Sequence, residues 1–131
     1  MFKRFAVVFL VAMIGLVSGH AASVTFEAES GALGADWAVS NSTSPTYLTI
    51  TSAGTGNNPG SAARVATYTV NFPSAGAYQL YGRVNVGSDT FNDDSMFYAA
   101  SFGTKNTTLN SDWVLVNGLG NAGFNNSSDV L

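Results

Sequence analysis

The chain has 131 residues, five lysines and arginines against eight aspartates and glutamates, a formal net charge of −3, and no cysteine. The acidic balance and the lack of a basic stripe exclude nucleic acid, whose binding rests on neutralising phosphates. Without cysteine, a disulfide framework is also excluded, and the available staple for a small exported fold is a metal.

The first element is not structural in its sequence pattern. Lys3 and Arg4 precede an uncharged apolar run over 5–17, and the small residues of Gly19-His20-Ala21 follow. That order is the signature of a secretory signal peptide over 1–21, cleaved after Ala21 or, alternatively, after Ala22. A membrane-spanning helix needs roughly 20 apolar residues, so the expectation is an extracellular or periplasmic protein with no membrane contact after cleavage. The remaining 22–131 suffice for one domain with a modest core. Its bases are Arg64, Arg83 and Lys105, set against all eight acids.

Val24-Thr25-Phe26-Glu27-Ala28-Glu29 alternates, which predicts a strand with Val24, Phe26 and Ala28 on one face and both glutamates on the other. Trp37-Ala38-Val39 predicts a short strand, and Tyr47–Thr51 another with Leu48 and Ile50 inward. Between it and the next strand, SAGTGNNPGS over 52–61 is a long irregular loop able to sit over a binding face. The stretch YTVNFPSAGAYQLYGRV over 68–84 predicts a hairpin. Ala66, Tyr68, Val70 and Phe72 share one face of its first strand; Tyr78, Leu80, Val84 and Val86 share one face of its second. Pro73 and Gly76 reverse the chain between them. Residues 95–100 read as a buried strand and Trp113–Val116 as the last clear one. No helical period is sustained, and turn signals recur about every ten residues, which predicts an all-β sandwich or barrel. The ending over 118–131 is rich in glycine and asparagine with no closing strand. The expectation is a C-terminally truncated piece of a longer protein, its sandwich lacking the final strand or strands.

Three groups of residues carry possible chemistry. On a regular strand, Glu27 and Glu29 stand about 7 Å apart, a spacing open to three readings. They are solvated charges, oxygen ligands for calcium, or a glycosidase acid and nucleophile. Asn92-Asp93-Asp94-Ser95 forms a second acidic cluster, suited to capping a turn, ligating an ion or bonding sugar hydroxyls. It lacks the ligand spacing of an EF-hand. Aromatic rings near loops can stack on the C–H face of a sugar. Phe91 and Trp113, flanked by Asp, Asn and Ser, are the favoured rings, Tyr47 is a further candidate, and Trp37 is expected in the core. Tyr81 and Arg83 share a strand face two residues apart, open to a stacked pair or a purely structural role.

Catalysis has little to work with. The single histidine, His20, lies in the leader, so the mature domain holds no Ser–His or metal–His centre. The glycines over 54–60 lack the lysine of a phosphate loop. Asn41, Asn106, Asn125 and Asn126 begin glycosylation sequons, which matter only in a eukaryotic secretory host.

Phe26-Glu27-Ala28-Glu29-Ser30, then Tyr-x-Val-x-Phe-x-x-Ala-Gly-x-Tyr-x-Leu-Tyr-x-Arg-Val over 68–84, then Asp93-Asp94-Ser95 and Trp113 resemble a carbohydrate-binding module of the family 6 and family 35 type. The resemblance covers about residues 24–119. It implies a jelly-roll β-sandwich, a structural calcium site to which Glu27 and Glu29 contribute, and a sugar site in the loops at one end. Trp113, Asn92 and Asp93 match that loop site, with Phe91 beside them. The family's additional aspartate from a final strand has no counterpart here. FNDDSMFY and SDWVLVNGL also look like the start of secreted bacterial endo-1,4-beta-xylanases that carry such a module beside a family 10 glycoside hydrolase barrel. That barrel needs about 250 residues and is absent.

The sequence therefore leads to a non-catalytic module that binds plant cell-wall polysaccharide, xylan foremost, and anchors a secreted hydrolase expected downstream. The runner-up is the N-terminal fragment of a xylanase known by its missing catalytic domain. The third reading is a structural β-sandwich of a cell-surface adhesin.

Overall fold

A computed structural model of the chain describes residues 3–4, 9–12, 23–41, 44–52, 54, 56–86 and 94–124. Among them the chain is built from short strands, with three single-turn 3-10 helices and no α-helix. The strands are β1 (Lys3–Arg4), β2 (Phe9–Ala12), β3 (Ser23–Phe26), β4 (Ala32–Leu33), β5 (Trp37–Ser40), β6 (Tyr47–Ile50), β7 (Ala66–Thr67), β8 (Gln79–Gly82), β9 (Met96–Ala99) and β10 (Trp113–Val116). All pairings between them are antiparallel: β1-β6-β5, β3-β2-β8, β4-β7 and β9-β10. The class is all-β, as the alternating pattern and turn spacing predict.

β5, β6 and β10 fall where the pattern places them. Leu48 and Ile50 point inward as expected: Leu48 is 1% exposed and Ile50 packs against the buried cluster. That cluster is Ala28, Leu48, Val84, Val86 and Leu119. A fully buried Val or Leu contributes about 1.5–3 kcal/mol, so each of these larger side chains weighs on the stability of the fold. Trp37 and Met96 close over it as half-buried neighbours, so the expected core role of Trp37 holds. The strand of 95–100 is half-buried rather than buried.

Two local expectations are corrected. The first strand stops at Phe26, and Ala28–Ser30 winds into a 3-10 turn. Ser30 drives the change: its backbone N–H donates to the Glu27 carbonyl at 3.1 Å and its hydroxyl to the same oxygen at 2.7 Å. Serine competes for the backbone in this way and breaks a ladder. Ala28 still reaches the core, but Glu27 and Glu29 no longer sit on one strand face.

The second correction concerns 68–84. The first half keeps its predicted alternation, with Tyr68, Val70 and Phe72 half-buried and Thr67, Thr69 and Asn71 exposed. The chain also reverses near Pro73 and Gly76, bringing the Phe72 and Tyr78 rings to 4.4 Å. Yet no two-stranded ladder joins the halves. β7 pairs with β4, and β8 pairs with β2, Phe9 lying opposite Gly82 and Ala12 opposite Gln79. Residues 68–72 after β7 join no ladder, and β8 gives its hydrogen bonds to a strand distant in sequence. Leu80, expected inward, is 47% exposed.

The segment after β10 is tied down as far as it is described. Leu119 donates its N–H to the Asp94 carbonyl at 3.1 Å, and the Phe124 carbonyl accepts from Val86 at 2.8 Å. Among the described residues, no helix is long and apolar enough to cross a membrane.

Candidate functional site

The loop joining β9 to β10 is shaped by its own polar side chains. Asn106 accepts at Oδ1 from the Thr108 backbone N–H at 3.0 Å and from the Thr108 hydroxyl at 2.9 Å. Its backbone N–H donates to the Asp112 carboxylate at 2.7 Å. Its carbonyl accepts the Trp113 indole N–H at 2.9 Å. A tryptophan with its one polar group so anchored presents its ring in a fixed orientation. Asn and Asp bond their own backbone readily, and a single 3-10 turn over Asn110–Asp112 leads into β10.

A second loop packs across the first. Asn58 donates from Nδ2 to the Thr108 carbonyl at 3.1 Å and to Asn110 Oδ1 at 2.6 Å, while the Gly60 N–H donates to the Thr107 carbonyl at 2.8 Å. The long loop expected to cover a binding face therefore lies against the loop that holds Trp113. Arg64 secures its base: Nε reaches the Ser52 hydroxyl at 3.0 Å and lies 3.5 Å from Asp36 Oδ2, and a terminal nitrogen donates to the Pro59 carbonyl at 3.2 Å. The Ser52 hydroxyl in turn donates to Asp36. Gly34 lets this packing happen, since a Cβ there would stand 2.4 Å from the Ala62 and Ala63 carbonyls.

Of the sequence-predicted sugar-site residues, Trp113 is therefore found in a polar, preformed loop cluster. Phe91, Asn92 and Asp93 lie outside the described residues. Asp94, next in the chain, is buried at 6% exposure. Asn58, Asn110 and Asp112 were not singled out by sequence reasoning, and Asn106 only as the start of a glycosylation sequon, because loops carry no periodicity. The only available signal was the density of Asn, Thr and Asp around 106–112. Tyr81 donates its hydroxyl to Gln79 at 2.7 Å, and Arg83 Nε is buried without an acceptor.

Glu29 sits in a different environment. One carboxylate oxygen, Oε2, is shut from solvent and accepts no hydrogen bond. Glu27, in contrast, is exposed. Beside Glu29, Tyr68 donates its hydroxyl to the Ala28 carbonyl at 2.5 Å and packs its ring on Phe26 at 5.0 Å. Burial, with the Glu29 charge added, pushes the Tyr68 hydroxyl up to about 12. An orphaned, buried carboxylate oxygen is costly unless a cation or proton meets it, so Glu29 fits the chemistry of a hard oxygen ligand. Among the described residues no three acidic, histidine or cysteine side chains cluster, so further ligands would be main-chain carbonyls or water.

The described surface also carries an open groove of about 540 Å³ lined by β8, β9 and β10, chiefly Leu80, Tyr81, Met96, Tyr98 and Val116. Met96, Tyr98 and Val116 share one face of the β9-β10 pair, and Phe97 and Trp113 share the other. The groove and Trp113 thus belong to opposite faces of the same hairpin. No protein-family model, curated protein or solved structure matches the chain.

Proposed function

We propose that this chain is an exported, non-catalytic carbohydrate-binding module of the family 6 and family 35 type. In this reading the strands form a jelly-roll sandwich, and calcium held by Glu29 with Glu27 supports the first strand. The ligand is plant cell-wall polysaccharide, xylan foremost. The module raises the effective concentration of a linked hydrolase at its substrate and does no bond-breaking itself.

The observation that carries the proposal is the Trp113 loop cluster. An indole fixed by Asn106, within loops braced by Asn58, Asn110 and Asp112, offers one apolar ring among many hydrogen-bonding groups. A sugar asks for that combination, a flat C–H face with hydroxyls around its rim. Because the polar groups are already bonded to one another, little ordering cost falls on binding. Calcium, when bound, supplies a positive charge that satisfies the buried Glu29 oxygen.

Affinity electrophoresis of the chain in native gels containing soluble xylan tests the proposal. Retardation that Trp113→Ala abolishes is expected. Unretarded migration of the folded wild type, with and without calcium, refutes sugar binding.

A further inference from the structure

Of the chain's asparagines, only Asn117 is followed by glycine. β10 ends one residue earlier, at Val116, so the Gly118 N–H is released from the ladder. It donates instead to Asn117 Oδ1 at 2.8 Å. That bond holds the Gly118 nitrogen beside the side-chain carbonyl, whose carbon Cγ is one covalent bond further on. Asn117 is exposed, so water reaches the pair. Gly118 adopts φ +82°, a conformation that suits glycine, and no atom beyond its chain neighbours lies within 4 Å of where a Cβ would stand. Nothing crowds a ring closing there.

We infer that Asn117 is a site of spontaneous deamidation, converting to aspartate and isoaspartate through a cyclic imide with Gly118. The Gly118 amide loses its proton to hydroxide, and its nitrogen bonds to Asn117 Cγ. The Cγ–Nδ2 bond breaks, Nδ2 takes up a proton from water, and ammonia leaves. A second water then opens the imide. Attack at Cγ restores the main chain with an aspartate; attack at the Asn117 main-chain carbonyl carbon leaves the chain running through Cβ and Cγ, as isoaspartate. The other asparagines are less suited. Asn58 precedes Pro59, whose nitrogen has no proton to lose, and the rest precede residues whose Cβ hinders the closing ring.

The position of the change matters to the core. Leu119, the next residue but one, is 2% exposed and donates its N–H to the Asp94 carbonyl at 3.1 Å. The Gly118 carbonyl accepts from the Ala122 N–H at 3.0 Å. Isoaspartate lengthens the main chain between β10 and these anchors, so the ladder register and both bonds are no longer met together. Losing one such hydrogen bond lowers the melting temperature by about 4 °C.

The inference is independent of the carbohydrate reading. The full chain is incubated folded in mildly alkaline buffer and, in parallel, unfolded in urea, then digested and mapped by mass spectrometry. Folded wild type is expected to gain about one dalton, an OH for an NH2, at Asn117 before any other asparagine, and faster as pH rises. Asn117→Gln, whose longer side chain disfavours that ring, loses the change, and Gly118→Ala slows it. Asn117 that stays intact in the folded chain while converting in urea shows that the fold protects it, and overturns the inference. Earlier conversion of another asparagine in the folded chain overturns it too. Aged chain, separated by its added negative charge, is expected to melt about 4 °C below fresh chain; equal melting overturns the coupling to Leu119.

Discussion

The Glu29–Tyr68 corner and the Trp113 loops solve the burial of polar groups in opposite ways. Around Trp113 every polar side chain named above has a partner, from Asn58 through Asn106 to Asp112. Around Glu29 one carboxylate oxygen has none, and the adjacent phenol resists ionisation. A satisfied cluster is rigid and, under the proposed function, holds the Trp113 ring in place for a neutral, hydroxyl-bearing ligand. An unsatisfied one is a place where a charge is still wanted. Under the proposed function, the contrast divides the labour of the two sites, recognition at the loops and stabilisation at the first strand.

The sharpest way to break the corner is steric. A Cβ at Gly31 would meet Tyr68 Cε1 at 2.6 Å, and the anchored phenol cannot swing aside without losing the Ala28 carbonyl. Gly31→Ala is expected to cost about 1–3 kcal/mol as overpacking does, read by denaturant unfolding. Stability equal to wild type would mean that the ring moves freely.

Next in size is the cation. At a calcium concentration a hundred times its dissociation constant, binding adds about 2.7 kcal/mol to the folded state. Wild type should melt higher in calcium than in chelator, whereas Glu29→Gln should melt alike in both. A wild type indifferent to chelation removes calcium from this corner.

The loop cluster predicts a smaller and different loss. Asn58→Ala deletes two hydrogen bonds at a partly exposed position and is expected to cost about 1 kcal/mol. Because those bonds join the two loops, retardation in xylan gels should weaken as well, with calcium dependence untouched. A variant that loses stability but binds as wild type would show that the brace does not position Trp113.

The smallest effect is a pH profile. The Tyr68 hydroxyl titrates near 10 in the unfolded chain and at about 12 when folded, so between those values the folded state holds the proton more tightly. Its contribution to stability is complete below pH 10 and is lost as pH rises toward 12. Melting temperatures across that interval should fall more steeply for wild type than for Tyr68→Phe. Parallel curves would show that the phenol is not protected by its burial.

The contrast also explains how much was legible in the sequence. Period-two alternation placed β6 and pointed Leu48 inward, because a strand's faces are fixed by backbone geometry alone, whereas β5 and β10 were legible as short apolar runs beside polar loops. Trp113 was legible for a related reason, as an aromatic at the boundary between a polar loop and an apolar strand. The position of Glu29 was not, since Ser30 turns the chain one residue past the point where the pattern still alternates. The braces Asn58 and Asn110 were invisible, because their partners lie about 50 residues away and only folding sets those distances.

The amino-acid sequence by itself determined the all-β class, the lack of disulfides and the inward facing of Leu48 and Ile50. Those follow from composition and a two-residue period, both local properties. Tertiary structure alone decided that β2 rather than the neighbouring hairpin arm pairs with β8, and that one Glu29 oxygen is left without a partner. Pairing and burial depend on which distant segments arrive at the same place, and no local pattern carries that information.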